Sequence, residues 1–252
     1  MILRRLAQSL KEQNWTAICI EFVLLVLGVA LGIEAQQWVN ERAERQLERV
    51  YLERILTDIR ISIDTDQLNA TRLTASSDGI SMVLNRLRRC ELADSEKDAF
   101  ADALAHVRRV APSVFVLNTM DEMLSSGKFS IIRNSKIRDI LNGLARDSDY
   151  QDKVYAAKIA QVATASVAAN PHLIRTYAEH KTPFEFVRWE ELDLDFSAMC
   201  QDRAFHGALS RLKDIADSGI SLNNRALDKL RIAQSELERE LGTIAHSQGS
   251  AP

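Results

Sequence analysis

The sequence has few of the residues that interrupt helices. Its 252 residues include nine Gly and four Pro, and aromatic residues make up 6% of the chain. This composition favours helices and is unlike that of an all-β or a disordered chain. The formal net charge of −3 is also too small to indicate a nucleic acid as a partner. We therefore predict an all-α protein that binds no nucleic acid.

The sequence also lacks the common motifs of enzymes and metal sites. It contains no P-loop, no dinucleotide-binding fingerprint, no HExxH and no Gly-x-Ser-x-Gly motif. The acidic residues between Glu190 and Asp195 lack the glycine turn and the terminal Glu of a calcium loop. We therefore predict no catalytic residue, no cofactor and no metal, and the sequence leaves open whether the protein is an enzyme.

Cysteine is scarce, and its three positions show no metal-binding spacing. Cys19 lies in an apolar stretch, whereas Cys90 and Cys200 lie in the more polar remainder. Two interpretations stay open for the latter pair: a disulfide in an oxidising compartment, or two unrelated buried thiols. A disulfide requires their α-carbons to lie within about 7 Å of each other.

One long apolar stretch is present near the N-terminus. Residues 16–33 include a single charge, Glu21, and lie between Trp15 and Trp38. In an α-helix the two indoles would be about 34 Å apart, which spans the hydrocarbon core of a bilayer and reaches the interfaces where Trp is enriched. We therefore predict a transmembrane helix over 15–38, with the lipid bilayer as a partner and Trp15 and Trp38 as interface anchors.

Two other interpretations fit this stretch less well. A cleaved signal peptide has an apolar region of about 7 to 15 residues and a small-x-small cleavage site. Here the apolar stretch is longer and continues into the sequence EAQQ at 34–37. A buried helix of a soluble protein normally has a polar stripe, which residues 22–33 lack. The stretch therefore favours an uncleaved signal-anchor.

The basic residues on the two sides of the predicted span do not decide its orientation. The basic residues nearest the span are balanced, with Arg4, Arg5 and Lys11 before it and Arg42, Arg45 and Arg49 after it. The uncharged approach at 13–17 and the free N-terminus favour a cytoplasmic N-terminus. We therefore expect the domain that follows the span to lie on the other side of the membrane, outside the cytoplasm.

Helical periodicity continues through most of the remaining chain. After the span no Gly or Pro occurs until Gly79, and apolar residues recur at helical spacing from 47 to 63. A second helix is expected to start after Gly79 and to end near Arg89. The predicted organisation is an N-terminal flank over 1–14, the transmembrane helix over 15–38, a juxtamembrane stalk helix over 39–78, an antiparallel helical bundle over 79–246 that packs with the stalk, and a frayed tail over 247–252.

Turn and capping residues divide the predicted bundle. Thr119 and Glu122 have the spacing of a capping box, and Gly127 occupies the position of a left-handed residue after a helix. Further elements are expected as follows: a helix from a cap at Asn134 or Ser135 to about 168, another helix from Pro171, an ordered non-helical connection over 182–196, and a helix from about 199 to 241.

Two blocks of sequence resemble a known family. The first contains Ile20-Glu21-Phe22, Gly28, the run QQWVNER at 36–42 and residues 51–58, and the second contains SSG at 125–127, IIRN at 131–134, and Ile137-Arg138 with Leu141. Together they resemble a family of uncharacterised bacterial membrane proteins with an N-terminal transmembrane helix and a helical C-terminal domain. The resemblance covers most of the chain and implies topology, but no activity, cofactor or substrate. Val39 departs from it, because members often carry Asn at this position.

One face of the predicted span carries unusual residues. Glu21, Gly28 and Gly32 lie on the same side of the helix, since seven residues make almost two turns. A carboxyl group inside a span is costly and marks a functional hypothesis, and small residues four positions apart let two helix backbones approach closely. We therefore predict that this face mediates homo-oligomerisation.

Together with the resemblance, these observations predict a single-pass protein of the bacterial inner membrane whose helical domain is periplasmic. This domain is expected to act as an assembly, scaffold or sensing module through contacts with an unknown protein partner. An alternative is an oligomeric ion or proton conductor that uses the Glu21 face of the span. The two differ when Glu21 is neutralised, because a scaffold keeps its assembly whereas a conductor loses its flux.

Overall fold

The computed structural model describes residues 15–165, 173–177 and 189–249, with side chains for 20–165 and 194–246. The fold is all-α, as the composition predicts, with one small antiparallel pair of strands. The helices of the described residues are α1 (Trp15–Arg89), α2 (Lys97–His106), α3 (Asn118–Ser125), α4 (Ser135–Thr164), α5 (Phe196–Gln201) and α6 (Arg203–Gly249), with 3₁₀ turns at Asp94–Glu96 and Lys128–Ile131. The chain divides into two units, Met1–Tyr51 and Leu52–Pro252.

The first unit contains the N-terminal part of α1. Every side chain over 20–47 is exposed. Among the described residues, α1 is the one helix that is long and apolar enough to cross a membrane. The flank predicted over 1–14 lies outside the described residues.

Helix α1 runs through Gly79 without a break, so the separate helix predicted to start there is wrong. Gly79 packs against α2, and a β-carbon added to it would lie 3.2 Å from the Ala103 β-carbon. The glycine therefore allows two helices to approach closely and does not end one. Ile80, Val83 and Leu87 recur at helical spacing and are buried, so this part of α1 turns one face toward the protein interior.

The second unit is an antiparallel bundle in which α6 is the common partner. Four cross-helix contacts define the pairing: Arg60–Glu238 and Ser77–Asp217 join α1 to α6, and Lys136–Glu236 and Asp147–Lys229 join α4 to α6. In each set the residue numbers rise on one helix as they fall on the other. The long first and last helices are therefore antiparallel neighbours, as their length and periodicity predict.

An apolar core joins the C-terminal part of α1 to α2, the end of α4, α5 and the start of α6. Its buried members are Ile80, Val83, Leu87, Phe100, Leu104, Val107, Val162, Ala165, Met199, Phe205, Leu209, Leu212, Ile215 and Ala216. Phe100 also packs edge-on against Phe196, with the ring centroids 5.4 Å apart. Removal of this apolar surface from water is the main force that holds the bundle together.

The capping box predicted at Thr119 is wrong. Helix α3 begins one residue earlier, at Asn118, and its cap position Leu117 makes no side-chain bond. The carboxylate of Asp58 on α1 accepts the Thr119 N–H at 2.9 Å. A tertiary contact therefore satisfies a backbone N–H at this helix start.

Other helix ends agree more closely with the sequence. Gly127 has a φ of 71°, which confirms the predicted left-handed residue, and Asn134 caps α4 by accepting a backbone N–H at 3.0 Å. Helix α4 ends at Thr164, before its predicted end near 168. Helix α6 continues to Gly249, past its predicted end near 241, so the frayed tail predicted over 247–252 is wrong for 247–249. Residues 250–252 lie outside the described part of the chain.

The antiparallel strands Leu173–Tyr177 and Trp189–Leu194 pair with Leu173 opposite Leu194. The first strand contradicts the helix predicted from Pro171, because its β-branched and aromatic residues favour an extended chain. The second strand lies within the non-helical connection predicted over 182–196, of which 182–188 lie outside the described residues.

Candidate functional site

A row of polar side chains on α1 binds the backbone of residues 109–117, a segment without regular secondary structure that we call the strap. This row, which we call the polar ladder, makes four hydrogen bonds to the strap and the start of α3. Three side-chain oxygens accept backbone N–H groups: Asp58 Oδ2 from Thr119 at 2.9 Å, Ser62 Oγ from Val116 at 2.8 Å, and Asp66 Oδ1 from Val114 at 2.7 Å. The fourth member, Asn69, donates from Nδ2 to the Pro112 carbonyl at 3.1 Å. Residue numbers fall along the strap as they rise along α1. The strap therefore runs antiparallel to the helix.

The spacing of the polar ladder suits an extended partner. Ser62 and Asp66 are one helical turn apart, and four residues of α-helix advance by about 6.0 Å. An extended chain advances by about 6.6 Å over the two residues from Val114 to Val116. The two advances are nearly equal, so a side chain on each of these two consecutive turns of α1 can bind a backbone N–H of the strap.

Asp66 is the wholly buried acid of the polar ladder, with 0% of its surface exposed. Its Oδ1 accepts the Val114 N–H, whereas Oδ2 has no hydrogen-bond partner among the described residues. Burial raises the pKa of the Asp66 carboxyl to about 6, against the lowering effects of the Val114 N–H and the Asn223 side chain. The group therefore titrates close to neutral pH.

Asn223 of α6 lies next to this carboxyl, since its side chain acts on the pKa of Asp66. Asn223 is 1% exposed, and neither Nδ2 nor Oδ1 has a hydrogen-bond partner among the described residues. Such unpaired atoms are rare in protein interiors, because each costs roughly 1 to 3 kcal/mol. A carboxylic acid can donate to the amide oxygen, and a carboxylate can accept from the amide nitrogen. The pair can therefore hold Asp66 in either protonation state.

A second polar cluster joins Ser77 of α1 to Lys213 and Asp217 of α6. Ser77 Oγ donates to Asp217 Oδ1 at 2.5 Å, and Lys213 Nζ donates to Ser77 Oγ at 3.0 Å and to Asp217 Oδ2 at 2.8 Å. The bonds from Lys213 and Ser77 hold the pKa of Asp217 below its usual range. The cluster therefore joins α1 to α6 by hydrogen bonds.

Cys90 and Cys200 form a disulfide, with α-carbons 5.5 Å apart, inside the limit of about 7 Å. Cys90 follows α1 directly and has a φ of 52°, a left-handed conformation that is uncommon outside glycine. Its N–H donates to Leu87 O, and the Glu91 N–H donates to Arg86 O. These two bonds form a Schellman motif that ends the helix. The disulfide ties this end of α1 to α5.

The face of the span predicted from Glu21, Gly28 and Gly32 lies in the first unit. All three residues are exposed, and a β-carbon added to either glycine would meet no atom within 4 Å. The face is therefore open to a neighbouring helix, and its role in oligomerisation stays a prediction.

Of the two tryptophans predicted to lie at the membrane interfaces, Trp38 is the one whose side chain the structure describes. Trp38 is exposed, and the Arg42 guanidinium carbon lies 5.3 Å from the centroid of its ring. This cation–π contact places a positive charge beside the indole. Trp15 is the first residue of α1, and its side chain lies outside the described residues.

Comparisons with known proteins do not assign a function. The chain matches no protein-family model, no curated protein and no solved structure. The resemblance to a family of bacterial single-span membrane proteins therefore stays a prediction, and any functional assignment depends on the residues of the chain itself.

The polar ladder and Asn223 are missing from the sequence-based prediction. The signal for the ladder is the recurrence of Asp58, Ser62 and Asp66 every four residues, next to the apolar face of the same helix. The signal for Asn223 is its place four residues before Leu227, within the apolar stripe of α6. A polar residue at a buried position of a periodic stripe is unusual and indicates a specific contact.

Proposed function

We propose that this protein is anchored in the bacterial inner membrane by the N-terminal part of α1 and acts in the periplasm as an assembly or sensing module through protein contacts. The observation that carries the proposal is the surface of α1 over 20–33. Its large apolar side chains are all about half exposed or more, namely Ile20, Phe22, Val23, Leu24, Leu25, Val26, Leu27, Val29, Leu31 and Ile33.

Lipid is the environment that suits this surface. Monomeric soluble proteins rarely expose a contiguous apolar patch larger than a few hundred Å², and here the apolar side chains surround the helix on every side. The most apolar 18 residues have a mean hydropathy of 1.7. An α-helix of that length spans about 27 Å, close to the thickness of the hydrocarbon core of a bilayer.

The disulfide supports a periplasmic location for the second unit. Cys90 and Cys200 are the two cysteines outside the apolar stretch, and they are paired. Disulfides persist in the periplasm and are rare in the cytosol, where thiols are kept reduced. This agrees with the orientation that places the N-terminus in the cytoplasm.

The open face at Glu21, Gly28 and Gly32 supports assembly of two or more copies. Lipid supplies no hydrophobic force between spans, so close packing at small residues and hydrogen bonds between helices drive association. A carboxyl group at this face can donate such a bond, for about 0.6 to 2 kcal/mol. The bundle then offers its surface to a partner outside the membrane.

Crosslinking of the full-length protein in native membranes tests this proposal. We expect crosslinked oligomers, and we expect Gly32→Ile to reduce them strongly because the branched side chain separates the backbones. Ala30→Ile is the matched control, because residue 30 lies on the opposite side of the helix. Recovery of monomer alone, or an equal effect of the two variants, contradicts assembly through this face.

Variants of Glu21 distinguish the proposed assembly or sensing module from the alternative, an oligomeric ion or proton conductor. Glu21→Gln should keep the oligomer, because the amide keeps the hydrogen bond between helices, whereas Glu21→Leu should weaken it. A protein that conducts ions in vesicles and loses this flux in Glu21→Gln, with its assembly intact, would instead be an ion or proton conductor.

A further inference from the structure

The contact between α1 and α6 contains an unpaired acceptor next to an unpaired amide. Asp66 Oδ2 and both polar atoms of Asn223 have no hydrogen-bond partner among the described residues, although both residues are at most 1% exposed. Asp66 Oδ1 is already occupied by the Val114 N–H of the strap at 2.7 Å. A proton on Oδ2 could be donated to Asn223 Oδ1, which would give both of these oxygens a hydrogen-bond partner.

We propose that Asp66 and Asn223 form a proton-binding site that clamps α1, the strap and α6 together in acidic medium. In the protonated state Asp66 Oδ2–H donates to Asn223 Oδ1, and Asp66 Oδ1 keeps the Val114 N–H. In the ionised state the site holds a buried charge, and local opening of the strap lets water reach it. One proton is taken up from the solvent on closing and returned to it on opening.

Other charged groups on the surrounding elements have partners or lie in other environments. They are Asp58 on α1, which accepts the Thr119 N–H; Lys213 and Asp217 on α6, which pair with each other; Lys158 on α4, beside Gly219; and Arg109 of the strap, which lines a cleft with Ser76 and Gly79. Burial lowers the pKa of Lys158. Burial of the Asp66 carboxyl therefore remains the main cause of its own raised pKa.

The direction of the pH effect follows from that raised pKa. With the strap closed, burial holds the pKa of Asp66 at about 6, and exposure of the carboxyl to water on opening would return the pKa toward its ordinary value of 3.8. Between these values the closed form binds more protons, so acid favours closing and rising pH favours opening. The opening equilibrium should increase about tenfold from pH 5 to pH 7.5 and change little above that.

The biological use of this site rests on the proposed sensing role. An anchored bundle in the periplasm would close its strap when the medium becomes acidic. The helix against which the strap closes, α1, also contains the proposed span.

Amide hydrogen exchange of the full-length protein in detergent micelles tests the site. After correction for intrinsic exchange rates, the protection of the Val114 and Val116 amides should fall about tenfold from pH 5 to pH 7.5. Asp66→Asn should keep high protection at both pH values, because its amide donates to Asn223 permanently. Asp58→Asn is the matched control in the same ladder and should keep the pH dependence. Asn223→Leu should lower protection at pH 5.

Three results would overturn the site. They are protection in the wild type that does not depend on pH, unchanged pH dependence in Asp66→Asn, and an NMR titration of the Asp66 carboxyl with a midpoint near 4. The crosslinking result is independent of these. Loss of assembly together with the expected titration contradicts the proposed function alone, and normal assembly without the titration contradicts the proton site alone.

Discussion

Over 20–33 helix α1 exposes every apolar side chain, whereas over 52–87 the same helix buries most of them. The second stretch buries Leu52, Ile55, Leu56, Ile59, Ile63, Leu73, Ile80, Val83 and Leu87, and its exposed large apolar residues are Ile61 and Leu68. Burial in the second stretch recurs at helical spacing, while the first stretch has no sheltered side. The two stretches of one helix therefore have different surroundings: folded protein covers the second stretch, and the first is the stretch that we propose to lie in lipid.

Lysines introduced into the two stretches of α1 should differ most in their effect on membrane integration. Leu25→Lys combined with Val29→Lys should prevent membrane integration, because each charge near the centre of a span costs about 2.5 to 3.5 kcal/mol. Ile61→Lys replaces a similarly exposed apolar residue in the bundle and should leave integration unchanged. The fraction that resists alkaline extraction measures both. Equal extraction of the two proteins contradicts the difference in environment.

The disulfide should provide the next largest effect, confined to the bundle. Replacing Cys90 and Cys200 by Ser opens a cross-link between residues 110 positions apart, which should lower the free energy of unfolding by about 4 to 5 kcal/mol in the chain-entropy model. Urea unfolding of the detergent-solubilised protein measures the loss. Cys19→Ser, in the proposed span, serves as the control and should have no effect on bundle unfolding.

Truncation of a leucine to alanine should also have different effects on stability in the two stretches of α1. Leu87 is 1% exposed and belongs to the apolar core, so Leu87→Ala should destabilise the bundle by about 2 to 5 kcal/mol. Leu25→Ala removes the same atoms from the exposed stretch. Its thermal unfolding should match that of the wild type, and an equal loss in both variants would mean that residue 25 is buried in folded protein.

The smallest expected effect concerns surface charge on the bundle. Lys229 and Asp147 form an ion pair at 2.6 Å whose lysine side chain is 53% exposed. Exposed pairs contribute about 0 to 1 kcal/mol, so Lys229→Met should change the midpoint of unfolding very little. A loss as large as that of Leu87→Ala would show that charge pairing, and not apolar burial, holds α4 to α6.

Strong local signals made the fold partly predictable from the sequence. The apolar spacing of α1 and α6 predicts long helices, and Gly127 and Asn134 mark helix ends because their local chemistry decides the backbone. At Gly79 and Thr119 the prediction fails for one reason. The close approach of Ala103 and the carboxylate of Asp58 come from distant parts of the chain, and local sequence does not contain them.

The candidate sites were predictable to different degrees. The scarcity of cysteine leaves one plausible pair outside the span, so Cys90 and Cys200 follow from the sequence as a possible disulfide. The Asp66–Asn223 pair depends on which faces of α1 and α6 meet, and on burial that removes every other partner from the carboxyl. Neither condition is expressed in the spacing of residues along one helix.

The most direct test of the account is the thiol state of the full-length protein in intact cells and membranes. A membrane-anchored bundle in the periplasm should resist alkaline extraction. Its Cys90 and Cys200 should react with a membrane-impermeant maleimide polymer only after reduction, and this labelling should occur from the periplasmic side. Release of the protein by alkali, or free thiols that the impermeant reagent reaches only after the cells are lysed, would contradict a membrane-anchored bundle in an oxidising compartment.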